Sequence, residues 1–422
     1  MANSPSPPAV PDPAFIDHWV DAHHDAQVAF LRAVVRLPTD MPPGDNDPAA
    51  QGTAELLAAL GFVVERHAVP NAIVAANGML SATNLIVRER FGSGRGPTIA
   101  LAAHGDVVPP GAGWTRPPYQ GVVEDGRMYG RGVAVSKSDI ATYAFALAAL
   151  RQCAAQGAQL DGSVELHFTY DEEFGGNTGV GWLLENALSK PDLAIAAGFS
   201  YQIVTAHNGC LQLEVSVRGR SAHGAMPQLG ADALRAAVAI LDALYGLVPG
   251  FAAQVSQFPG IESPTMIVGT IAGGTNTNVV PDLVSFRLDR RLIPEEDPVL
   301  VETGLRRVID AAVADQPGIS VATRSLLRAA ALRPLPGHER LVAALQRHGE
   351  RIFGEPIPAA GVPLYTDARH YAAHGCPVVV YGAGPRTLAE ANAKSADENL
   401  LLEDLRRATK VVAAAVAELL RA

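Results

Sequence analysis

At the centre of this chain stands the sequence Phe168-Thr169-Tyr170-Asp171-Glu172-Glu173-Phe174-Gly175-Gly176. The apolar run that leads into it, 163–168, predicts a buried or half-buried strand. Three adjacent carboxylates at a strand end repel one another, so such a run is expected where a cation, a base role or a partner needs the charge. A solvated acidic turn is the alternative, and the rest of the chain bears on the choice.

The composition describes a globular protein that is long enough for two or more domains. The chain has 422 residues, of which 48% are hydrophobic and 18% are charged. A net charge of −10 argues against nucleic acid and against an anionic membrane as partners. Three widely spaced cysteines predict a reducing compartment and hence a cytoplasmic location. We expect no signal peptide, no membrane-spanning run, and an extended or disordered proline-rich arm over 1–14.

A second strand end presents candidate ligands. The continuous apolar run Thr98–Ala103 is typical of a parallel sheet, and His104-Gly105-Asp106 follows it directly. Ligand sites in open α/β sheets lie at such carboxyl ends. In a His-x-Asp sequence the imidazole can bind a metal while Asp106 accepts its other N–H and so sets the tautomer. A polar surface strand end is the alternative, but together with Glu172 and Glu173 the two ends predict one site.

The pattern of the strands changes near His207. Alternating strands begin there, and the predicted order of strand, helix, strand, strand, helix, strand is that of the ferredoxin-like unit. Continuous apolar strands resume after this unit. We therefore predict an α/β fold with a mixed, mostly parallel sheet flanked by helices, and a ferredoxin-like α+β insertion. The predicted boundaries are 1–206 and 333–422 for the main domain and 207–332 for the insertion.

Several motifs in a fixed order together point to one family. They are Leu101-Ala102-Ala103-His104-Gly105-Asp106-Val107-Val108-Pro109, Trp114, Tyr129-Gly130-Arg131-Gly132, Lys137, Asp171-Glu172-Glu173-Phe174-Gly175-Gly176, Gly219-Arg220-Ser221-Ala222-His223, Asn278-Val279-Val280-Pro281, Asp289-Arg290-Arg291 and Thr366-Asp367-Ala368-Arg369. As a set they resemble the zinc aminoacylase and carboxypeptidase family, which includes acetylornithine deacetylase, succinyl-diaminopimelate desuccinylase, glutamate carboxypeptidase and related dipeptidases. The resemblance extends from about Phe15 to the C-terminus.

The resemblance implies catalytic and metal-binding roles. Members of the family hold two zinc ions with a histidine, a bridging aspartate, a glutamate, a further acid and a C-terminal histidine. By this match, His104 and Glu173 stand at metal-ligand positions, and Glu172 stands at the position of the general base for a metal-bound water. His223 matches the histidine of the inserted domain that reaches across a dimer to polarise the scissile carbonyl.

The resemblance also implies how a substrate is held. Asn278 and Arg291 match the family residues that bind the substrate carboxylate, although a turn residue and a surface strand residue are the alternatives for each alone. Arg369 is a second candidate for anion binding because a guanidinium fork suits a carboxylate. The expected partners are a small-molecule carboxylate substrate and a second copy of the chain, paired through the inserted domain, which would act as a dimerisation or lid domain.

Three of the five ligand positions depart from the family pattern. The family reads Arg-Gly-x-x-Asp-x-Lys, and Val135 stands here in place of the bridging aspartate. Lys394 stands in place of the C-terminal histidine, and the predicted strand in 191–198 ends without an acid. An aliphatic side chain cannot coordinate zinc and an ammonium group is repelled by it, so the ligand set for the expected zinc is incomplete. Lys394 could instead pair with Glu172 or Glu173, with one cation replacing another.

Three hypotheses about function follow. The leading one is an amidohydrolase or metallopeptidase-like enzyme that uses Glu172 as general base on an N-acyl amino acid or dipeptide-like substrate, with a weakened metal site or none. The second is a metal-independent isomerase, racemase or lyase, in which Glu172 abstracts a proton next to a carbonyl and Lys394 and His223 stabilise the resulting charge. The third is a non-catalytic protein that keeps the carboxylate pocket for binding.

Overall fold

The computed structural model describes residues 13–421, so residues 1–12 of the predicted N-terminal arm lie outside the described part of the chain. The helices are α1 (Pro13–Ala22), α2 (His24–Val35), α3 (Asp47–Ala59), α4 (Asn71–Ala76), α5 (Lys137–Ala155), α6 (Val180–Glu185), α7 (Ala233–Tyr245), α8 (Val248–Phe251), α9 (Pro298–Ala312), α10 (His338–Phe353), α11 (Ala368–Ala373) and α12 (Leu402–Leu419). The strands are β1 (Val64–Ala68), β2 (Thr83–Phe91), β3 (Thr98–His104), β4 (Val122–Glu124), β5 (Arg127–Tyr129), β6 (Gly162–Thr169), β7 (Leu193–Ala196), β8 (Ile203–His207), β9 (Gly209–Arg218), β10 (Thr265–Gly273), β11 (Leu283–Leu292), β12 (Ser320–Ala329), β13 (Ala359–Val362), β14 (Val378–Val380) and β15 (Asn399–Leu401).

The chain folds into two compact units, and the second interrupts the first. The first unit runs to Thr205 and resumes over Pro334–Ala360 and Thr366–Ala422, whereas the second comprises Ala206–Arg333 and Gly361–Tyr365. The short segment Gly361–Tyr365 had no place in the predicted insertion. It joins the second unit through backbone hydrogen bonds to residues distant in sequence, such as the bond from Gly361 N–H to Pro259 O at 2.7 Å. Such bonds cannot be predicted from local sequence patterns.

The first unit is built on an eight-stranded mixed sheet with the order β1-β2-β6-β3-β7-β14-β8-β13. The pairs β6–β3, β3–β7 and β7–β14 are parallel, whereas β1–β2, β2–β6 and β14–β8 are antiparallel. The predicted mixed sheet is therefore confirmed, and the four central strands β6, β3, β7 and β14 are parallel to one another. A separate three-stranded antiparallel sheet, β15-β5-β4, joins the C-terminal part of the chain to the segment before α5.

The helix α5 fixes the segment that precedes it. Every residue from Lys137 to Leu150 is buried, as expected for a helix that is apolar on nearly all sides. It packs against β3, α2 and α12. The segment 131–136, which leads into α5, is thereby held next to the end of β3.

The second unit is a ferredoxin-like fold, as predicted. Its four strands are antiparallel in the order β10-β11-β9-β12, which follows from one strand-helix-strand unit repeated along the chain. The side chains that alternate inward on β9 pack beneath α7 and α9 and are buried, namely Leu211, Leu213, Val215 and Val217. The strand β10 forms one edge of this sheet.

One helical stretch contradicts the expectation that no apolar run is long enough to span a membrane. Residues 233–251, which comprise α7 and α8, are long and apolar enough to do so by length and composition alone. In this fold α7 lies against its own sheet, with Ala236, Ala237, Ile240 and Leu244 buried on that side. The run is therefore apolar because one helix face covers a sheet while the opposite face also has apolar side chains.

A polar cluster in the core connects β6 to α11. His167 is fully buried, with Nδ1 2.7 Å from Tyr371 Oη and Nε2 3.0 Å from Glu165 Oε2. Ser189 Oγ donates to the same carboxylate at 2.5 Å, and Arg88 forms an ion pair with it. Buried polar groups of this kind are stable only when their hydrogen bonds are satisfied. The cluster therefore fixes α11 against the strand that leads into the acidic sequence.

This cluster makes a prediction about acid stability. Burial alone would raise the pKa of Glu165, but the hydrogen bonds and charges of His167, Ser189 and Arg88 lower it to about 2, from an ordinary value of 4.5. A depressed carboxylate pKa contributes stability that is present above the unfolded pKa and is lost as the pH falls through the folded pKa. We expect Glu165→Gln to lower the free energy of unfolding at pH 7 by about 2–3 kcal/mol and to flatten its pH dependence below pH 4.5.

Urea denaturation at a series of pH values measures this effect. The exposed Glu185 offers a matched control, since Glu185→Gln removes a charge of the same kind at the surface. A Glu165→Gln protein that keeps the acid sensitivity of the wild type would contradict the assignment.

Candidate active site

Two neighbouring parallel strands bring the predicted residues of the first unit together. The strand β3 ends at His104 and β6 ends at Thr169, and these two residues are partners in the sheet register. Because the carboxyl ends of parallel strands meet at one edge, Asp106 and the acidic sequence after Thr169 emerge side by side. The expected meeting of the two strand ends is therefore present.

Asp106 is fully buried, and its carboxylate holds the two strand ends together. Oδ1 lies 3.2 Å from His104 Nδ1 and accepts a hydrogen bond from Glu172 N–H at 3.2 Å. Oδ2 accepts from Glu173 N–H at 2.9 Å. Since a carboxylate can only accept, His104 Nδ1 is the donor, and the ring presents Nε2 to the opposite side. This is the contact that the His-x-Asp sequence predicted.

Glu172 lies in a buried and strongly charged environment. It is 8% exposed, and its Oε2 is 3.8 Å from His104 Nε2. Burial raises the pKa of Glu172 to about 7, with the positive charge of His104 opposing this rise and the charge of Glu173 adding to it. Burial alone would lower the pKa of His104, but the hydrogen bond that His104 donates to Asp106 and the nearby carboxylates raise it to about 10. A carboxyl group titrating near neutral pH is suited to accept a proton in catalysis.

Lys394 forms an ion pair with the second glutamate of the acidic sequence. Its Nζ lies 2.6 Å from Glu173 Oε2, which is one of the two pairings predicted for this lysine. The Glu173 side chain is 7% exposed and that of Lys394 is 51% exposed, so the ammonium group covers the carboxylate from the solvent side. Burial would lower the pKa of Lys394, but the charges of Glu173 and Glu172 raise it above its ordinary value, so the group stays an ammonium.

Two of the side chains at positions where the family holds zinc, Val135 and Lys394, are of types that do not coordinate a zinc ion. Ser136 Oγ accepts from His104 N–H at 3.0 Å and donates to His104 O at 2.9 Å, and the residue before it, Val135, has an aliphatic side chain with no donor atom for a metal. The ammonium of Lys394 occupies Glu173 Oε2. Within residues 13–421, no group of three or more His, Cys, Asp or Glu side chains is arranged to hold a metal ion. The placement of His104 and Glu173 at metal-ligand positions stays a prediction from the resemblance.

Arg369 makes a contact that was not predicted from the sequence. It is buried and donates from Nη2 to Gly175 O, and His370 Nε2 lies 3.1 Å from the same oxygen. Gly175 and Gly176 have φ values of +102° and +67°, which favour glycine. A Cβ atom on Gly176 would collide with Asp367 Oδ1. The start of α11 thus holds the turn that follows Glu172 and Glu173, while binding of an anion by Arg369 stays a prediction.

Asp367 belongs to the acidic group at this site, although no role was predicted for it from the sequence. It is 8% exposed. Burial, followed by the charges of Glu172 and Asp171, raises its pKa well above the ordinary value. The signal in the sequence was its position two residues before Arg369, within the motif that already suggested a role for that arginine.

The remaining predicted residues lie in the second unit. His223 and Asn278 are exposed on adjacent segments, joined by the bridge between His223 and Val279 and by the hydrogen bond from Gly224 N–H to Asn278 O at 2.7 Å. Arg291 is half-buried on β11, where its Nε donates to Asp289 Oδ1 at 2.7 Å. A substrate carboxylate at Arg291 would therefore share the guanidinium with Asp289.

Comparison with known proteins agrees with this geometry. The model of peptidase family M20/M25/M40 matches residues 100–418. The chain belongs to this family. Among its relatives is the succinyl-diaminopimelate desuccinylase of Methylobacterium nodulans, which is 29% identical over 398 residues, or 91% of this chain and 93% of that protein. The protein is thus an enzyme of the amidohydrolase and peptidase class.

Solved structures of the family share the fold. Human carnosine dipeptidase 1 superimposes with a TM-score of 0.72 at 18% identity, covering 97% of this chain and 99% of that chain. A di-peptidase from Saccharomyces cerevisiae gives a TM-score of 0.76 at 15% identity with the same coverage. The metallo-carboxypeptidase Sso-CP2 of Sulfolobus solfataricus gives 0.76 at 18% identity, covering 93% and 98%. At these identities the likeness concerns the fold alone.

The contacts of Asp106 make a prediction for this member of the family. An asparagine at this position would present an NH₂ group towards at least one of the N–H donors that now meet a carboxylate. A buried donor left without an acceptor costs about 1–3 kcal/mol. We therefore expect Asp106→Asn to lower the free energy of unfolding by about 2 kcal/mol and to speed hydrogen exchange at the Glu172 and Glu173 amides.

Urea denaturation and hydrogen-exchange mass spectrometry measure the two effects. Asp25→Asn, at an exposed position on α2, is the matched control. Unchanged exchange of the 172–173 amides in a folded Asp106→Asn protein would show that this carboxylate does not hold the strand ends.

Proposed function

We propose that this protein hydrolyses an amide or related bond in a small carboxylate-bearing substrate, with Glu172 as general base and without a pair of zinc ions. The observation that supports this most is the 2.6 Å ion pair between Lys394 Nζ and Glu173 Oε2. In this proposal the ammonium of Lys394 supplies positive charge where relatives would use a metal. Val135 and Lys394 stand where the family has metal ligands. In this proposal their presence changes the cation of the site from a metal ion to an ammonium group and leaves the site itself in place.

The balance of charge supports the proposal. Asp106, Asp171, Glu172 and Asp367 are all buried, and the side chain of Glu173 is 7% exposed. Buried carboxylates that lie close together need a counter-charge or must be protonated. The protonated His104 and the ammonium of Lys394 provide two positive charges at this point. A zinc ion approaching Glu173 would have to displace the ammonium and would be repelled by it.

The arrangement also suggests how the reaction would proceed. Glu172 takes a proton from a water molecule, and the oxygen of that water attacks the carbonyl carbon. The positive charges of His104 and Lys394 stabilise the negative charge that develops on the carbonyl oxygen. When the bond to the leaving amine breaks, Glu172 returns the proton to the amine nitrogen.

The class of substrate is proposed from the family and from three cationic or polar side chains. The names of relatives describe a desuccinylase, dipeptidases and a carboxypeptidase. We propose N-acyl amino acids or dipeptides, whose free carboxylate would be bound by Asn278 and Arg291, with Arg369 as a further candidate. A half-exposed guanidinium such as that of Arg291 suits a carboxylate because it can donate two parallel hydrogen bonds.

We further propose that two copies of the chain pair through the second unit. Its helix α7 and its edge strand β10 leave large apolar side chains exposed, namely Leu234, Val238, Tyr245, Ile267 and Ile271. An unpaired antiparallel edge can pair with its own copy about a two-fold axis, which makes a second copy the simplest occupant. In such a dimer His223 would act in the site of the partner, as the resemblance implies.

One set of measurements tests the hydrolytic proposal. Protein purified without chelators is analysed for zinc and assayed on N-acetyl and N-succinyl amino acids and on dipeptides. We expect less than one zinc ion per chain and hydrolysis that survives dialysis against a chelator. Glu172→Gln should lower kcat by about 10²- to 10⁴-fold, whereas the exposed Glu185→Gln should not. The double variant Val135→Asp/Lys394→His should gain zinc, because it restores two ligand types.

Two outcomes would contradict this proposal. A content of about two zinc ions per chain in the wild type would overturn the role given to Lys394. Uptake of deuterium from solvent next to the carbonyl of a substrate, without hydrolysis, would favour the metal-independent isomerase, racemase or lyase instead.

The dimer makes a separate prediction. Val238→Asp and Ile267→Asp each place a charge on the exposed apolar face of the second unit, and we expect both to shift the protein from dimer to monomer in light scattering at micromolar concentration. Exposed Val63, which lies in the first unit, is the control position for Val63→Asp. A wild-type protein that is already monomeric would contradict the proposal.

A further inference from the structure

The segment that presents Lys394 has an unusual backbone. Asn392, Lys394 and Asp397 have φ values of +48°, +60° and +53°. Residues with a Cβ atom seldom adopt this left-handed region, and they keep it only where the surrounding structure imposes it. The conformation at Lys394 therefore depends on contacts elsewhere in the fold.

One set of contacts comes from a buried ion pair. Arg131 Nη1 lies 2.6 Å from Glu398 Oε2, and the two side chains are 1% and 2% exposed. Glu398 Oε1 accepts from Ala134 N–H at 3.1 Å, and Oε2 also accepts from Lys394 N–H at 3.4 Å. Arg131 Nη2 donates to Pro110 O at 3.0 Å. The carboxylate of Glu398 thus links the backbone of Lys394 to the segment that leads into α5.

A second set of contacts holds the same segment from the solvent side. Asp397 Oδ1 accepts from Thr115 N–H at 2.9 Å and from Arg116 N–H at 3.2 Å, and Oδ2 accepts from Thr115 Oγ1 at 2.7 Å. Pairing of β15 with β5 begins directly afterwards, with Asn399 opposite Tyr129. The segment 392–398 is therefore anchored on the C-terminal side of Lys394, first by Asp397 and then by the start of β15.

We propose that Glu398, paired with Arg131, and Asp397 are positioning residues that impose the left-handed conformation of Lys394 and so place its ammonium on Glu173. The inference rests on the proposed function in one respect, namely that Lys394 supplies the positive charge of the site. A buried ion pair that served stability alone would have no effect on the reactivity of the Lys394 ammonium group. That difference makes the proposal testable without knowledge of the substrate.

The lysine content of the chain provides the assay. There are four lysines, Lys137, Lys190, Lys394 and Lys410. Lys190 is exposed and serves as the internal reference, whereas Lys137 is 1% exposed and Lys410 is 9% exposed. Brief acetylation with an N-hydroxysuccinimide ester, followed by peptide mass spectrometry, yields the labelling rate of Lys394 relative to Lys190.

In the wild type we expect Lys394 to be labelled about fivefold more slowly than Lys190, because its ammonium is held by Glu173. In Glu398→Gln the labelling rate of Lys394 relative to Lys190 should rise towards one. The same rise is expected in Glu173→Gln, which removes the carboxylate that pairs with Lys394. Glu398→Gln leaves Arg131 buried without its counter-charge and can unfold the protein. A milder second variant is Asp397→Gly, which removes the contacts to Thr115 and Arg116 while glycine still tolerates the left-handed conformation.

Glu403→Gln, which lies on α12 and pairs with Arg406 and Arg407, is the control that should leave the ratio unchanged. An unchanged ratio in Asp397→Gly and in any folded Glu398→Gln protein, judged by circular dichroism, would overturn the positioning role. If Lys394 is labelled as fast as Lys190 in the wild type, the ion pair between Lys394 and Glu173 is absent in solution, and the proposed function loses its main support. Failure of the positioning role would therefore be seen in the variants, whereas failure of the proposed function would be seen in the wild-type protein.

Discussion

The site of this protein depends on one buried carboxylate. Asp106 accepts hydrogen bonds from the ring of His104 and from the backbone of Glu172 and Glu173, which arrive from two different strands. The parallel register of β3 and β6 brings these groups to one edge, but register alone would leave the turn after Thr169 free to move. The hydrogen bonds of Asp106 fix the positions of the His104 imidazole and of the Glu172 and Glu173 backbone, which the sheet register only brings close together.

Around this carboxylate, protein cations lie beside the two glutamates. Lys394 covers Glu173, and the imidazole of His104 faces Glu172. The backbones that carry these two cations are in turn held by other side chains, since Glu398 bonds the backbone of Lys394 and Ser136 bonds the backbone of His104. This layered arrangement matters because a fixed charge stabilises a developing charge only if it does not have to reorganise first.

The fold was predictable where local pattern and architecture coincide. Continuous apolar runs predicted the central parallel strands, and alternation predicted the antiparallel sheet of the second unit, because burial on two faces or one sets those patterns. Local pattern failed for 361–365, which joins the second unit only through long-range hydrogen bonds. It also failed for 233–251, whose apolar character reflects a helix with one face on a sheet and further apolar side chains outside.

For the site, the sequence by itself determined which chemical groups are available. Two strand ends with His104, Asp106, Glu172 and Glu173 had to meet, and Val135 could not be a ligand whatever the fold. Only the tertiary structure decided that Lys394 pairs with Glu173 rather than Glu172, and that Arg369 bonds the backbone of Gly175. The physical reason is that these contacts join residues more than 190 positions apart in the chain. Such contacts depend on backbone conformations and on distances of a few ångströms, and neither can be predicted from residue type or spacing.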